Sequence, residues 1–206
     1  MKIQNNYMKR LTVMVAGIIL MGFGIALARI AELGTDPYTC MNLGLSTAFS
    51  MSFGTWQLIM NALLIIVIII FDKKYIGIAT LVNMVGIGYI ADFFTSLLGS
   101  LFAQNIPFAI RLIWLSVAVI ISGLSCAMYL APDLGSSPYD SVAFILRGIT
   151  KDKLPFRIAR IISDVTCVAI GFAFGSIVGI GTVAMALLTG PLVQYFSKII
   201  KKKLAL

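Results

Sequence analysis

Long apolar segments separated by short polar stretches dominate this chain. A helix needs about 20 residues to cross the roughly 30 Å of hydrocarbon in a bilayer. Six segments approach or exceed that length: Leu11 to Ala31, Trp56 to Phe71, Gly77 to Leu101, Ile110 to Ala131, Phe156 to Phe174 and Ile177 to Phe196. Their apolar residues are continuous, without the alternation that is typical of barrel strands. The pattern therefore predicts an all-α polytopic membrane protein with six long transmembrane helices.

The chain also repeats itself at an offset of 101 to 102 residues. Residues 33–38 read Leu-Gly-Thr-Asp-Pro-Tyr, and residues 134–139 read Leu-Gly-Ser-Ser-Pro-Tyr. A Gly-Ile-x-Thr sequence begins at Gly77 and again at Gly179. Glycine and proline interruptions at corresponding positions of two halves point to a transporter binding site. We therefore predict a single membrane domain made of two repeats, at about 11–101 and 108–198.

Each repeated motif is followed by a segment that predicts a short helix, Pro37 to about Ala48 and Pro138 to about Leu146. Asp36 and Ser137 are natural N-caps, since proline is favoured at the first helical position. At about 1.5 Å per residue such helices reach only part of the way across a bilayer. Re-entrant short helices give three spans in each half and an inverted repeat. If both short helices cross, eight spans and a parallel repeat result, and we favour the six-span alternative.

Composition places the chain in a membrane and charge orients it there. Hydrophobic residues make up 60% and charged residues 12% of the sequence, and the mean hydropathy is +1.01. Twelve of the sixteen basic residues lie outside the spans: Lys2, Lys9, Arg10, Lys73, Lys74, Arg147, Lys151, Lys153, Lys198, Lys201, Lys202 and Lys203. Six spans with a cytoplasmic amino terminus put all twelve on the cytoplasmic side, as the positive-inside rule expects. The net charge of +8 is therefore explained by the membrane topology and by attraction to anionic lipid headgroups, and we expect no nucleic-acid partner.

Several functional classes lose support from what the sequence lacks. Histidine, the commonest general base and metal ligand, is absent. Cys40, Cys126 and Cys167 lie in apolar segments without CxxC spacing, which argues against a metal site or a disulfide framework. The first apolar segment is longer than the core of a signal peptide. We expect no enzyme activity, no cofactor and no metal.

The repeated motif supplies the first set of candidate binding residues. A helix that begins inside a membrane offers free N–H donors and the positive end of its dipole, which together suit an anion. The candidates for substrate binding in the two motifs are Thr35, Asp36, Tyr38, Ser136, Ser137 and Tyr139. The carboxylate of Asp36 would compete for the donors of the first motif, so the second is the better anion candidate. The alternative is that the glycines only turn the chain and the prolines only start helices.

Charged residues within the spans supply the second set, because an ionisable group in the bilayer is a functional hypothesis by default. Asp164 lies near the middle of its span, and Arg160 precedes it by four residues on the same helical face. Asp92 aligns with Gln194, so both halves place a polar group there. The alternative for Asp164 and Arg160 is a structural pair. For Arg29, Glu32 and Arg111 we expect ion pairs near the outer surface.

These motifs resemble those of a known group of proteins. The duplicated Leu-Gly-x-x-Pro-Tyr element, an early Gly-x-x-x-Ala pair and the Gly-Ile-x-Thr stretch are similar to the YczE/YyaS/YitT group of bacterial integral membrane proteins. The resemblance implies a small protein of the bacterial cytoplasmic membrane, with no established substrate and no site residues to carry over.

The residues thus predict a secondary transporter or permease for a small anionic or zwitterionic solute. A different class is also open: an accessory protein that assembles with another membrane complex, or with itself, through its small-residue helix faces. An intramembrane enzyme is disfavoured, since no histidine or paired acids stand near a nucleophile.

Overall fold

The chain folds into helices throughout the part that the structure, a computed structural model, describes: residues 2–71, 76–102, 106–150 and 153–204. These residues form eight helices: α1 (Lys2–Ala31), α2 (Pro37–Ala48), α3 (Phe53–Phe71), α4 (Ile78–Leu101), α5 (Phe108–Leu130), α6 (Pro138–Ile149), α7 (Phe156–Ala173) and α8 (Ile180–Leu204). The two short helices appear where the motifs predict them. Lys73, Lys74 and Lys151, which the topology prediction uses, lie outside the described residues.

Five of these helices, α1, α3, α4, α5 and α8, are long and apolar enough to cross a membrane. The protein is therefore a polytopic helical membrane protein, as predicted. The sixth predicted span corresponds to α7, which is 18 residues long and carries Arg157, Arg160 and Asp164. Helix α7 differs from the other five because it carries these three charged residues within a mostly apolar length. Charged groups inside a membrane need partners.

Contacts between helices fix their relative directions. Gly86 of α4 lies near Ile18 of α1, and four residues later Ile90 lies against Gly22, so α1 and α4 run in the same direction. The opposite progression relates α1 to α5: Gly17 packs on Tyr129, whereas Gly24 packs on Ile121. Helices α1 and α5 are therefore antiparallel.

Helix α3 runs against α4. Gly54 packs on Gly88, and Asn61, two turns further along α3, donates to the carbonyl oxygen of Met84, which precedes Gly88. The second half resembles the first in one respect: Gly181 of α8 lies near Leu115 and Leu192 lies near Gly123, so α5 and α8 run in the same direction.

The short helices pack across the boundary between the halves. Helix α2 packs on α7 and α6 packs on α3. Gly44 of α2 lies against Gly171 of α7, at a distance that leaves no room for a side chain. Each half thus contributes a short helix to the packing of the other.

The loops before the short helices interlock the two halves. Gly181 N donates to Leu33 O at 2.7 Å, and the equivalent Ala79 N donates to Leu134 O at 3.1 Å. Gly34 and Gly135 make the turns with φ of +99° and +124°, a region that side chains rarely adopt.

The threonine of each Gly-Ile-x-Thr sequence lies beside the motif glycine of the opposite half. Thr80 Oγ1 donates to Ser136 O at 2.8 Å and accepts from Gly77 N at 3.0 Å. The loop motif of each half therefore contacts the Gly-Ile-x-Thr sequence of the other half, so the same type of contact occurs twice.

One pair of helices breaks the similarity between the halves. A Cβ atom at Gly88 would lie 2.8 Å from Gly54 Cα, so α3 and α4 are in close contact. At Gly190, the equivalent residue of α8, a Cβ atom would meet nothing within 4 Å. Helix α7 does not pack along α8 as α3 packs along α4. The two halves are thus in different arrangements.

Candidate functional site

Each short helix begins at a side chain that caps it. Asp36 Oδ1 accepts from Thr39 N at 3.1 Å, and Ser137 Oγ accepts from Asp140 N at 3.1 Å, which confirms both predicted N-caps. Ser137 Oγ also donates to Asp140 Oδ2 at 2.8 Å. In the first half the carboxylate belongs to the N-cap, Asp36. In the second half the N-cap is the hydroxyl of Ser137, and the carboxylate belongs to the third helical residue, Asp140.

The two motif tyrosines meet face to face. The rings of Tyr38 and Tyr139 are stacked with their centroids 4.5 Å apart and their planes at 14°. Tyr38 Oη donates to Asn61 Oδ1 on α3 at 2.8 Å, and Tyr139 Oη donates to Asp164 Oδ1 on α7. Both rings are buried. The structure therefore brings the two repeated motifs into direct contact through their aromatic rings.

Charged side chains surround Tyr139. Arg160 Nη1 bonds Asp140 Oδ1 at 2.5 Å, and Arg160 Nε lies 3.3 Å from Asp164 Oδ1. The guanidinium carbon is 4.7 Å from the centroid of the Tyr139 ring, which makes a cation–π contact. Asp36 caps the opposite short helix two residues before Tyr38, whose ring stacks on that of Tyr139. Asp164 lies at the midpoint of α7.

Asp140 is a site residue that the sequence analysis missed. Its signal is local, because it stands three residues after the N-cap Ser137, where a capping-box partner is expected. Its second role, as the partner of Arg160, depends on how α6 packs on α7. The spacing of residues along the sequence does not predict this contact.

The side of the site that faces Tyr38 carries neutral amides. Asn42, Asn61, Gln57 and Asn83 are all buried. Asn42 Nδ2 donates to Tyr38 O at 2.8 Å, but among the described residues Asn42 Oδ1, Gln57 Oε1 and Asn83 Nδ2 have no hydrogen-bond partner. Tyr38 therefore contacts the amides of Asn42 and Asn61, whereas Tyr139 contacts charged side chains.

Thr35 and Ser136 lie in the loops that lead into the short helices. Thr35 is buried, and its hydroxyl reaches Asp36 O at 3.5 Å. Ser136 Oγ shares a hydrogen bond with Ser141 Oγ at 3.0 Å. Both residues belong to the turns that start the helices, beside the tyrosine stack and not between the rings.

Asp92 and Gln194 are not part of this cluster. Asp92 Oδ1 accepts from Arg29 Nη1 at 2.8 Å, and Asp92 Oδ2 accepts from Gly54 N at 2.7 Å. Asp92 therefore holds the start of α3, which is a structural role. Gln194 lies on the exposed face of α8. Glu32 pairs with Arg111 at 2.9 Å, as expected near a surface, whereas Arg29 pairs with Asp92 instead.

The anion expectation for the helix starts loses support from these contacts. The first turn of α2 already donates to the carboxylate of Asp36, and the carboxylate of Asp140 lies in the first turn of α6. Both helix dipoles therefore already face a negative charge of the protein. Within the described residues no group of three or more His, Cys, Asp or Glu side chains is placed to hold a metal ion.

Comparison with known proteins identifies a family. Residues 8–198 match a family of unknown function, DUF6198, and the chain belongs to that family. The uncharacterized membrane protein YczE of Bacillus subtilis (strain 168) is 28% identical over 187 residues, which cover 90% of this chain and 84% of the relative.

Two further relatives match over most of their length. The uncharacterized protein YyaS of the same organism is 28% identical over 193 residues, covering 90% of this chain and 91% of the relative. An uncharacterized protein of Haemophilus influenzae is 25% identical over 195 residues, covering 94% and 86%. No solved structure matches the chain.

Proposed function

We propose that this member of the DUF6198 family is a secondary transporter of a small solute in the bacterial cytoplasmic membrane, with both termini in the cytoplasm. The observation that carries the proposal is the stack of Tyr38 on Tyr139, with a charged cluster beside it. Interrupted helices that meet in this way, one from each of two repeats, are where transporters bind their substrates. Charged side chains away from the ends of spans are costly and mark solute or ion pathways.

Helix directions support an inverted repeat. In a three-span half, α1 and α4 run the same way and α5, which starts the second half, runs the opposite way. The registers of Gly22 on Ile90 and of Gly17 on Tyr129 agree with that arrangement. Four crossings in each half would instead make α1 antiparallel to α4 and parallel to α5. The six-span alternative is therefore favoured.

The unequal packing of the two halves supports alternating access. Transporters with inverted repeats switch states when each repeat adopts the arrangement of the other. Here α3 and α4 touch at Gly54 and Gly88, whereas α8 is open at Gly190. The second state would open α3 from α4 and close α7 on α8.

Of the two solute classes that the sequence predicts, the site favours a zwitterion over an anion. Asp36 and Asp140 already place carboxylates at both helix starts, and Asp164 adds a third. A purely anionic solute would meet repulsion from all three, and the single guanidinium of Arg160 already bonds two of them. A zwitterion can approach with its positive end.

A thermal-shift screen of the purified protein, followed by flux measurements in proteoliposomes, tests the proposal. A ligand at a hundredfold excess over its dissociation constant stabilises by about 2.7 kcal/mol. We expect a zwitterionic solute to raise the melting temperature and then to exchange across the liposome membrane. Asp164→Asn should weaken binding of the zwitterion and slow its exchange, because the substitution removes a carboxylate that would face the positive end of the solute.

The matched control is Asp92→Asn, which removes a carboxylate that holds the start of α3 and should lower stability without a selective loss of solute exchange. If no small solute shifts the melting temperature and a co-purifying membrane protein does, the transporter proposal fails and an accessory role replaces it.

A further inference from the structure

We infer that the cluster around Tyr139 is a binding site for an organic cation, a guanidinium or primary ammonium group, and that Arg160 occupies this site as a tethered stand-in when no ligand is bound. The inference deepens the proposed function by naming the charge and chemistry of the recognised group. It rests on that function for the movement of the ligand but not for its binding.

The contacts of Arg160 are those of a bound guanidinium ligand. Its nitrogen atoms reach Asp140 Oδ1 at 2.5 Å and Asp164 Oδ1 at 3.3 Å, and its plane lies over the Tyr139 ring. Two carboxylates and one aromatic face are the groups by which proteins recognise guanidinium and ammonium ions. A ligand of this kind would therefore find the whole recognition surface already built, with the arginine side chain in its place.

The charges around the arginine leave the cluster short of positive charge. Two carboxylates, those of Asp140 and Asp164, bond the one guanidinium of Arg160. Carboxylates that are only partly exposed to water repel one another more strongly than they do in solution. The cluster would thus lose stability if Arg160 left it with no replacement, and a cation that takes its place keeps the balance unchanged.

Two buried polar atoms have no hydrogen-bond partner among the described residues, Asn42 Oδ1 and Tyr129 Oη. Asn42 lies one turn after Tyr38, which stacks on Tyr139, and donates to the carbonyl oxygen of Tyr38. Tyr129 lies at the end of α5, the helix that leads into the second motif. Buried polar atoms are rarely left unpaired. Both are oxygen atoms that can accept from the N–H groups of a cation.

The arginine can leave, because its side chain is not enclosed. Arg160 is 35% exposed, and its partners Asp140 and Asp164 are 21% and 18% exposed. Its flexible stem can carry the guanidinium away from Tyr139 while the two carboxylates stay on α6 and α7. When a ligand cation replaces the guanidinium of Arg160, the two carboxylates keep a positively charged partner. They are therefore paired both with and without ligand.

Methylguanidinium chloride and methylammonium chloride, at matched ionic strength, are the probes. In Arg160→Ala the tethered competitor is gone, so we expect methylguanidinium to raise the melting temperature and to bind at least tenfold more tightly than it binds the wild type. The matched control is Arg157→Ala, which removes an exposed arginine one turn earlier on α7 and should bind like the wild type. Equal affinity in Arg160→Ala and wild type, or no binding to either, overturns the inference.

Arg160→Lys keeps the experiment decisive if Arg160→Ala does not fold. A lysine keeps the charge but loses the forked contact with two carboxylates. Methylguanidinium should then bind several-fold more tightly than to wild type, and an unchanged affinity contradicts the inference. Flux separates this inference from the proposed function. Binding without any flux in liposomes leaves the cation site standing and rejects the transporter, whereas flux of solutes that do not compete with methylguanidinium does the reverse.

Discussion

Replacing Gly88 or Gly190 by alanine probes both the packing and the proposed exchange of states. In Gly88→Ala the new methyl group would lie 2.8 Å from Gly54 Cα, a backbone atom that cannot turn away. Overpacking of this kind costs about 1–3 kcal/mol, offset by about 1 kcal/mol from the better helix propensity of alanine. In Gly190→Ala the methyl group meets nothing within 4 Å outside its chain neighbours, so no packing cost arises between helices. Because Pro191 follows and disfavours a helical Cβ before it, the gain from helix propensity stays below about 1 kcal/mol.

Gly88→Ala should therefore be less stable than Gly190→Ala, by up to about 3 kcal/mol in the free energy of unfolding. For a chain of this size each kcal/mol moves the melting temperature by roughly 2–4 °C. Thermal unfolding in one detergent measures the difference. Gly99→Ala is the control, since it lies on α4 like Gly88 and its methyl group would meet nothing within 4 Å. Equal melting temperatures for Gly88→Ala and Gly99→Ala would refute the packing argument.

Solute flux should rank the same variants differently. Gly190→Ala leaves the observed arrangement intact, but in the second state α7 would close on that position as α3 closes on Gly88. We expect it to slow exchange in proteoliposomes while the protein stays as stable as the wild type or becomes more stable. Wild-type exchange rates in Gly190→Ala would show that the two halves do not trade arrangements at this contact.

Three further predictions concern topology and local structure. In a background without the native cysteines, Met51→Cys should react with an impermeant thiol reagent added outside cells and Lys153→Cys should not; protection of Met51→Cys would favour eight spans. Ser137→Ala should lower stability by about 1 kcal/mol, and Pro138→Ala by less, since the first helical position needs no N–H bond; a larger loss for Pro138→Ala would contradict the cap. Arg29 and Asp92 are partly exposed, so Asp92→Asn should cost about 2 kcal/mol, less than the 3–5 kcal/mol typical of a fully buried pair; a melting temperature equal to that of wild type would argue against its role at the start of α3.

Local features of the fold were predictable from the sequence. Asp36 and Ser137 predict where the two short helices begin, because an N-cap side chain bonds a backbone N–H group within three residues of itself. The six long segments follow from apolar length alone, although the charges of α7 set it apart from the others. The stack of Tyr38 on Tyr139 joins two residues that the sequence repeat makes equivalent, although the sequence alone did not show that they touch.

Contacts between distant segments were not predictable in the same way. Asp92 was a candidate for the site, yet its partners are Arg29 and Gly54, which neighbour it only after α1, α3 and α4 pack. Asp140 joins Arg160 through the packing of α6 on α7. Glycine is needed at the start of each Gly-Ile-x-Thr sequence because the loop of the opposite half packs against it and leaves no room for a Cβ atom. Sequence spacing reports neighbours along one helix and is silent about neighbours across helices.

The reciprocal contact between the loops sets an order for biosynthesis. Leu33 O accepts from Gly181 N of the second half, and Ala79 N donates to Leu134 O of the second half. A chain that has emerged from the ribosome only as far as α4 therefore holds backbone groups in the bilayer without their partners, which costs several kcal/mol. The first half must wait for the second before it can reach its final structure. We therefore expect that neither repeat reaches its final structure when it is produced without the other.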